Sequence, residues 1–280
     1  MTAVVTGATS GIGLEVARVL ATAGYRVIGV GRDPARCRSA EAELRSSTGN
    51  GDIGCLVADL GSLAQVRALA ERVRAHSKKL DVLVNNAGTF TVTRRETVDG
   101  IETQLAVNWL GAFALTGLLL PTLLEAPAAR IVSLSSGSHF SGRIHWQDIG
   151  LRRGYHGLKA YDQSKLATVL FTRELARRLC SDSSVSAYAV DPGLVKTDIG
   201  LKGNNALVRL VWKVRTRNGI SAARAASSVA WCANSPSASG KTGLYWKECQ
   251  ECAHSSRSLD QNDAQRLWEL GESLSGVRYP

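Results

Sequence analysis

A glycine-rich turn near the start of the chain constrains the fold more than any other segment. The apolar residues before it predict a β-strand that ends at Thr6, and residues 14–23 after it have the period of an amphipathic helix. The turn itself reads Gly7-Ala8-Thr9-Ser10-Gly11-Ile12-Gly13, with the spacing Gly-x-x-x-Gly-x-Gly. A strand, a glycine turn and a helix in this order are typical of α/β proteins that bind a dinucleotide.

The glycines of this turn have different predicted tasks. Gly7 permits a tight exit from the strand, Gly11 lets the backbone approach a pyrophosphate, and Gly13 lets the helix pack closely on the sheet. The helix N-terminus attracts the phosphate charge. The other residues predicted to bind the cofactor here are Thr9, Ser10 and Ile12. The alternative is an ordinary glycine-rich connection between a strand and a helix.

The rest of the chain alternates short apolar runs with segments of helical period. The predicted strands are 27–30, 53–58, 82–84, 130–134 and 185–190, and the predicted helices are 35–47, 63–75, 100–124 and 161–178. Apolar strands that alternate with helices indicate a parallel sheet covered on both faces. The fold class is therefore α/β: a single-domain, doubly wound parallel sheet of Rossmann type, with the ligand at the carboxyl ends of the strands.

Length and composition agree with one domain over residues 1–280, since 44% of the 280 residues are hydrophobic and no segment has the composition of a linker. Asp260 is predicted to cap a closing helix with an apolar stripe at Leu267, Leu270 and Leu274. The net charge of +10 is spread over many helices and is not interleaved with aromatic residues. We therefore expect no nucleic-acid partner and a field suited to a multiply charged cofactor.

The six cysteines are scattered, and no signal peptide precedes the first strand. This pattern predicts reduced thiols and a cytoplasmic protein. Cys249 and Cys252 have the spacing of half a zinc site, but no second pair completes it, so no metal is predicted. The start of the chain on its first strand leaves no room for an N-terminal membrane anchor.

Residues 105–124 contain no charged side chain and are long enough to span a membrane. Asn108, Thr116 and Pro121 argue against a transmembrane span. The sequence therefore predicts a core or interface helix, and the protein could be a monomer or a homo-oligomer.

Tyr161 and Lys165 lie one helical turn apart in the segment Tyr161-Asp162-Gln163-Ser164-Lys165. Positions i and i+4 share one face of a helix. The lysine charge favours the phenolate of a tyrosine, whose pKa is ordinarily about 10. The pair is a candidate general acid or base.

Together these motifs resemble the short-chain dehydrogenase/reductase family over nearly the whole chain. Besides the glycine turn and the Tyr-Lys pair, they include Asn85-Asn86-Ala87-Gly88, Asn108 and Ser136. The segments 135–139, 136–161 and 170–179 are most similar to its retinol dehydrogenase-like branch.

The resemblance implies four catalytic residues. Tyr161 would exchange a proton with the substrate oxygen, while Lys165 would hold the nicotinamide ribose and lower the pKa of the tyrosine. Ser136 would donate a hydrogen bond to the substrate oxygen. Asn108 would anchor a water that links Lys165 to solvent. The alternative for Asn108 is a buried amide that satisfies a kink in the helix backbone.

The resemblance also implies contacts with the cofactor beyond the glycine turn. Residues near the adenosine half would be Asp59, Leu60, Asn86, Ala87 and Gly88, although an Asp after a strand is also a common helix cap. Residues near the nicotinamide half would be Asn108, Tyr161, Lys165, Pro192, Gly193, Val195 and Thr197.

The end of the second strand selects between the two nicotinamide cofactors. The position of the acid that would bind a ribose 2′-hydroxyl is Gly31, and Arg32 follows it. A guanidinium suits a 2′-phosphate. Asp33 precedes Pro34 and is predicted to cap the next helix. The sequence thus favours NADP(H) over NAD(H).

Residues 194–219 are predicted to form a lid over the substrate. Their apolar and basic residues suit a lipophilic pocket, a helix on a membrane surface, or simple packing on the core. The insert 138–159 could supply an aromatic wall through His139, Phe140, His145, Trp146, Tyr155 and His156.

The predicted function is that of an NADP(H)-dependent oxidoreductase. It would interconvert a lipophilic aldehyde or ketone and its alcohol, and its partner would be this small-molecule substrate. The alternatives are a pigment-precursor reductase acting on a ring double bond and a non-catalytic NADP-binding sensor.

Overall fold

Eight strands pair into one sheet in the computed structural model, which describes residues 1–179, 183–195 and 219–279. The strands are β1 (Thr2–Thr6), β2 (Arg26–Gly31), β3 (Ile53–Val57), β4 (Val82–Asn85), β5 (Ala129–Leu134), β6 (Val185–Asp191), β7 (Leu244–Lys247) and β8 (Gln250–Cys252). Their order is β3-β2-β1-β4-β5-β6-β7-β8, and only the β7–β8 pair is antiparallel. The predicted doubly wound parallel sheet is confirmed.

Helices cover both faces of this sheet. They are α1 (Gly11–Thr22), α2 (Pro34–Thr48), α3 (Leu63–His76), α4 (Thr103–Leu124), α5 (Gly157–Arg178), α6 (Ala222–Asn234) and α7 (Gln261–Ser275). Successive strand residues point to opposite faces. In β4, Leu83 therefore packs in the core under α3, α4 and α5, while Val84 packs in the core under α1 and α6.

The strand order reverses between β1 and β4, which places the ligand site of a doubly wound sheet above these two strands. The carboxyl ends of β1, β4, β5 and β6 all meet at this edge, because the strands are parallel. The residues predicted to be functional follow these strand ends.

Two predicted helix caps are confirmed. The Asp33 side chain accepts hydrogen bonds from the backbone N–H groups of Ala35 and Arg36, with Pro34 in the first turn of α2. Asp260 accepts from the N–H group of Asp263 at the start of α7. Both carboxylates satisfy N–H groups that the helix leaves without an internal partner.

The sequence did not predict α6, β7 or β8. Strands β7 and β8 are joined by a two-residue turn in which Glu248 and Cys249 have φ values of 50° and 61°. Such turns are normally marked by Asn or Gly, which adopt positive φ at little cost. Here neither residue type is present, so the usual sequence signature of a hairpin is missing.

The uncharged helix α4 is a core helix. Among the described residues it is the one helix long and apolar enough to cross a membrane, yet 78% of its most apolar window is buried inside the protein. The sheet covers one side of α4, and α7 with the C-terminal tail covers another. Phe113 of α4 packs there on Trp268 at 5.3 Å and on Tyr279 at 5.0 Å between ring centroids. This burial accounts for its apolar sequence.

We predict that Trp268→Ala lowers the free energy of unfolding by about 3–5 kcal/mol, because it leaves a cavity among Phe113, Phe171 and Tyr279. Urea unfolding measures the loss. Glu269→Ala, on the exposed side of α7, is the control and should change stability by less than about 0.5 kcal/mol. Equal losses in the two variants would contradict the proposed packing of α7.

Candidate active site

The turn after β1 and the turn after β4 are joined by hydrogen bonds at the reversal point of the sheet. The Thr6 hydroxyl donates to the Val84 carbonyl at 3.1 Å and accepts from the N–H groups of Asn86 and Ala87 at 2.9 and 3.0 Å. The Asn86 side-chain amide donates to the Thr6 carbonyl at 2.7 Å. The predicted cofactor residues of both turns therefore form one rigid unit.

The glycine turn has little room for side chains. Gly7 and Gly11 have φ values of 68° and 58°, in the left-handed region that glycine adopts without strain. A Cβ on Gly13 would overlap the Gly7 carbonyl oxygen and the Asn86 amide. The close contact of Gly13 is thus with the turn and with Asn86, and not with the sheet alone as predicted.

The residues predicted to bind phosphate lie in the turn that joins β1 to α1, at the carboxyl edge of the sheet. Thr9, Ser10, Gly11 and Ile12 are partly exposed between the end of β1 and the first turn of α1. The N–H groups of that turn face the carboxyl edge of the sheet, as an anion site at a helix N-terminus requires.

Tyr161 and Lys165 share one face of α5, next to the end of β5. The Lys165 ammonium lies 5.5 Å from the centroid of the Tyr161 ring and donates to the Leu134 carbonyl at 2.9 Å. Phe90 packs edge-on against the same tyrosine, with ring centroids 5.8 Å apart.

The Lys165 side chain is only 5% exposed. Burial lowers the pKa of its ammonium to about 8, against an opposing attraction from the Asp191 carboxylate. At pH 7 the lysine therefore still carries its positive charge beside the tyrosine. This is the arrangement that a lysine needs to stabilise a phenolate.

The end of β5 fixes Ser136 next to α5. Ser135 donates its hydroxyl proton to the Lys165 carbonyl at 3.0 Å, and its N–H group donates to the Val190 carbonyl at 2.8 Å. Ser136 follows in an extended conformation, and its Oγ accepts from the N–H group of Ser138 at 3.2 Å. The structure thus brings Ser136 and the Tyr-Lys pair to the same strand end.

Asn108 lies in a π-helical turn, Ala106–Leu110, within α4. Its side chain accepts from the Thr89 N–H group at 2.7 Å, and it donates to the Thr89 carbonyl at 3.1 Å and to the Ser164 hydroxyl at 2.9 Å. The amide therefore binds the loop after β4 and the helix of Tyr161, which is close to the buried-amide alternative. The predicted water relay stays a prediction.

The predicted adenosine contacts have distinct environments. The Asp59 carboxylate accepts from the Gly61 N–H group at 2.8 Å, while Ser62 caps α3. The Leu60 side chain is buried in the core, so only its backbone can face a cofactor. Ala87 is partly exposed and Gly88 is exposed after β4.

The segment after β6 begins with Pro192 and Gly193, both partly exposed. Gly193 has a φ of 78°, and its N–H group donates to the Asp191 carboxylate at 2.9 Å. Val195 is buried and forms a parallel bridge with Ile220. Thr197 and nearly all of the lid 194–219 lie outside the described residues.

The end of β2 presents a basic side chain and leaves no space for an acidic one. Arg32 is exposed there. A Cβ on Gly31 would overlap the Thr9 methyl group and come within 2.9 Å of the Cys37 sulfur. An acidic side chain therefore has no room at the position where NAD-binding proteins of this fold carry one.

The insert 138–159 does not present all its aromatic residues to a pocket. His139 is fully buried, the Trp146 indole donates to Asp263 at 2.6 Å, and the Tyr155 hydroxyl donates to the Thr91 carbonyl at 3.2 Å. Phe140 and His156 remain exposed. In the described part of the chain, no three His, Cys, Asp or Glu side chains are grouped as metal ligands would be.

Sequence reasoning missed several residues that build the site. Thr6 could have been identified as the polar residue at the end of the first strand, and Asp191 as the acidic residue that follows the last predicted strand. The contacts of Phe90 and His139 depend on distant segments, and no local pattern marks them.

Comparisons with known proteins agree with this geometry. Residues 1–206 match the family model described as short chain dehydrogenase. Retinol dehydrogenase 12 of Mus musculus is 40% identical over 276 residues, which cover 99% of this chain and 86% of the relative.

Two solved structures extend the comparison to the fold. A crystal structure of an uncharacterized protein from Mycobacterium paratuberculosis has a TM-score of 0.76 and 34% identity, covering 100% of this chain and 94% of the other. The RhlG/NADP active-site complex of Pseudomonas aeruginosa has a TM-score of 0.69 and 27% identity, covering 88% and 93%.

We predict that Gly13→Ala lowers the free energy of unfolding by about 3 kcal/mol and abolishes NADPH binding, because the added methyl group must displace Gly7 or Asn86. Urea unfolding and NADPH fluorescence titration measure the two effects. Gly51→Ala is the control, since a Cβ there meets open space. If Gly13→Ala kept wild-type stability and NADPH affinity, the close contact of this turn would be disproved.

Proposed function

The chain belongs to the short-chain dehydrogenase family, in its retinol dehydrogenase-like branch, and we propose that it is an NADP(H)-dependent oxidoreductase interconverting a lipophilic aldehyde or ketone and its alcohol. The observation that carries the proposal is the buried, charged Lys165 beside Tyr161, at the strand end that holds Ser136. A phenol, an ammonium and a hydroxyl in this arrangement can move one proton to or from a substrate oxygen.

The residues at the carboxyl edge fit a nicotinamide dinucleotide. A Cβ atom on Gly7 or Gly13 would overlap the Asn86 amide, so neither position can carry a side chain. The backbone N–H groups of the turn and of the helix start are left to bind a pyrophosphate. Arg32 at the end of β2 supplies a guanidinium suited to a 2′-phosphate. The bound nicotinamide would supply or accept the hydride.

The chain's own residues would transfer the proton to and from the substrate oxygen. In the reductive direction, the Tyr161 hydroxyl donates its proton to the carbonyl oxygen of the substrate, and the Ser136 hydroxyl donates a hydrogen bond to the same oxygen. The positive charge of Lys165 then stabilises the phenolate that Tyr161 becomes. In the oxidative direction, the same phenolate accepts the proton of the alcohol.

The buried lysine argues for catalysis over a non-catalytic binding role. Burial lowers the pKa of Lys165 from 10.5 to about 8, so the unfolded chain binds this proton more tightly than the folded chain. The lysine thus lowers stability at neutral pH, and this cost disappears as the pH rises through about 8 toward 10.5. Binding the nicotinamide ribose needs only a hydrogen-bond donor, whereas stabilising the Tyr161 phenolate needs the positive charge itself.

A lipophilic substrate is supported by two observations. The related proteins include retinol dehydrogenases 11, 12 and 14, at 36% to 40% identity in mouse, and their names indicate a long apolar alcohol as substrate. Residues 194–219 of this chain combine apolar with basic side chains, as expected for a lid over an apolar pocket.

We predict that the wild-type protein oxidises NADPH with aldehydes or ketones from a panel of aliphatic, aromatic and polyene compounds. Tyr161→Phe should lower kcat by about 10²- to 10⁴-fold, because the acid is lost. The dissociation constant for NADPH should change much less than kcat, because the lost hydroxyl acts mainly on the substrate oxygen in the transition state.

Tyr25→Phe is the control for loss of a phenol. Its hydroxyl binds Asn234, and Tyr25 precedes β2 at the opposite edge of the sheet. Turnover that survives in Tyr161→Phe would contradict the assigned acid. If NADPH bound but no compound on the panel reacted in the wild type, the carbonyl-alcohol assignment would be wrong.

We predict that Arg32→Asp reverses the cofactor preference. Loss of a charge-assisted contact with the 2′-phosphate should raise KM for NADPH by about 10- to 100-fold, while the new carboxylate can accept from a ribose 2′-hydroxyl of NADH. Steady-state kinetics with both cofactors measures the ratio. Arg74→Asp, at the far end of α3, is the control for net charge. An equal change in both variants would mean that Arg32 acts only through the overall field.

A further inference from the structure

His139 connects the predicted catalytic serine to the C-terminal part of the chain. It is fully buried, three residues after Ser136, in the short 3₁₀ turn Gly137–Phe140. Its Nδ1 atom lies 2.8 Å from the Ser136 carbonyl oxygen. Its Nε2 atom lies 3.1 Å from the backbone nitrogen of Ser255, which is itself buried after β8.

These contacts fix which ring nitrogen carries the proton. A backbone N–H group can only donate, so Nε2 of His139 must be the acceptor for Ser255. Nδ1 then carries the hydrogen and donates it to the Ser136 carbonyl. Burial lowers the pKa of His139, although the Ser136 carbonyl and the Asp191 carboxylate oppose that shift. The ring is therefore neutral at pH 7, with one donor and one acceptor in use.

The imidazole ring and the backbone N–H group of His139 both form hydrogen bonds with the Ser136 carbonyl. The His139 N–H group donates to the Ser136 carbonyl at 3.0 Å, and Nδ1 donates to it from a second direction. The ring is held in turn by packing on Tyr245 at 4.6 Å between centroids. A carbonyl held by two donors fixes the peptide plane after Ser136 and, with it, the direction of the Ser136 side chain.

We propose that His139 is a positioning residue that aims the Ser136 hydroxyl at the substrate oxygen, with the segment around Ser255 holding the imidazole in place. The inference rests on the proposed carbonyl-alcohol chemistry. His139 is fully buried behind Ser136, and its ring nitrogens are both used by the protein backbone. It acts through the geometry of one hydrogen-bond donor, for which a displacement of about 1 Å can cost about 100-fold in rate.

Two substitutions separate the two ring nitrogens. In His139→Asn, the side-chain amide can reach the position of Nδ1 and keep a donor to the Ser136 carbonyl, but it loses the acceptor for Ser255. In His139→Gln, the longer amide can accept from Ser255, but it loses the Nδ1 donor. We expect His139→Gln to lower kcat by about 10- to 100-fold and His139→Asn to recover most of that loss. KM for NADPH should change in neither variant.

A double-mutant cycle tests whether the effect passes through Ser136. Residues that act as a unit have non-additive effects on kcat. In the Ser136→Ala background, His139→Gln should therefore lower kcat by less than about twofold. His76→Gln, an exposed histidine on α3, is the matched control and should have wild-type kinetics in both backgrounds. Activities are compared per mole of folded protein, counted by NADPH titration.

The proposal is overturned if His139→Gln costs the same factor in kcat with and without the Ser136 hydroxyl. It is also overturned if ¹⁵N NMR of the folded protein shows the proton of His139 on Nε2. Failure of the proposed function has a different signature, because the wild-type protein would then turn over no carbonyl or alcohol while the NMR result still reports the tautomer. The two failures are thus distinguishable.

Discussion

The burial of the Lys165 ammonium is the constraint on which the rest of the site depends. A buried charge is tolerated only where hydrogen bonds and opposite charge replace water. The Leu134 carbonyl, the Asp191 carboxylate and the Tyr161 ring provide these contacts from β5, β6 and α5. The relative positions of β5, β6 and α5 are therefore fixed by these contacts. Ser136 lies two residues after Leu134, so the same contacts also fix its position.

The part of the site proposed to bind the cofactor depends on a second set of contacts, at the reversal point of the sheet. Thr6 and Asn86 join the turns after β1 and β4, and Gly13 leaves the space that the Asn86 amide occupies. Asn108 extends this unit, because its side chain binds both the loop at Thr89 and the helix of Tyr161. The glycine turn and the Tyr-Lys pair, about 150 residues apart in sequence, are thus held together by the hydrogen-bonded side chains of Thr6, Asn86 and Asn108.

Much of the fold and the site could be predicted from the sequence because local patterns carry them. Apolar strands, helix caps at Asp33 and Asp260, and the i,i+4 pair of Tyr161 and Lys165 are written in short segments. The β7–β8 hairpin was missed, since Glu248 and Cys249 adopt positive φ without the residues that usually mark it. The contact of His139 with Ser255 spans 116 positions, a separation that no periodicity reveals.

The C-terminal part of the chain packs against α5, the helix that carries Tyr161 and Lys165. Trp268 of α7 packs on Phe113 of α4 and on Phe171 of α5, and Arg178 at the end of α5 lies over the same indole ring at 4.5 Å. Tyr161 and Lys165 lie on another face of α5, directed to the cofactor edge. Because α5 is packed between α7 and the sheet, a shift of α7 would move Tyr161 relative to Ser136, which follows the end of β5. The hydrogen bond from Ser255 to His139 links Ser136 to the segment that leads into α7. The C-terminal part of the chain therefore helps to position both Ser136 and Tyr161.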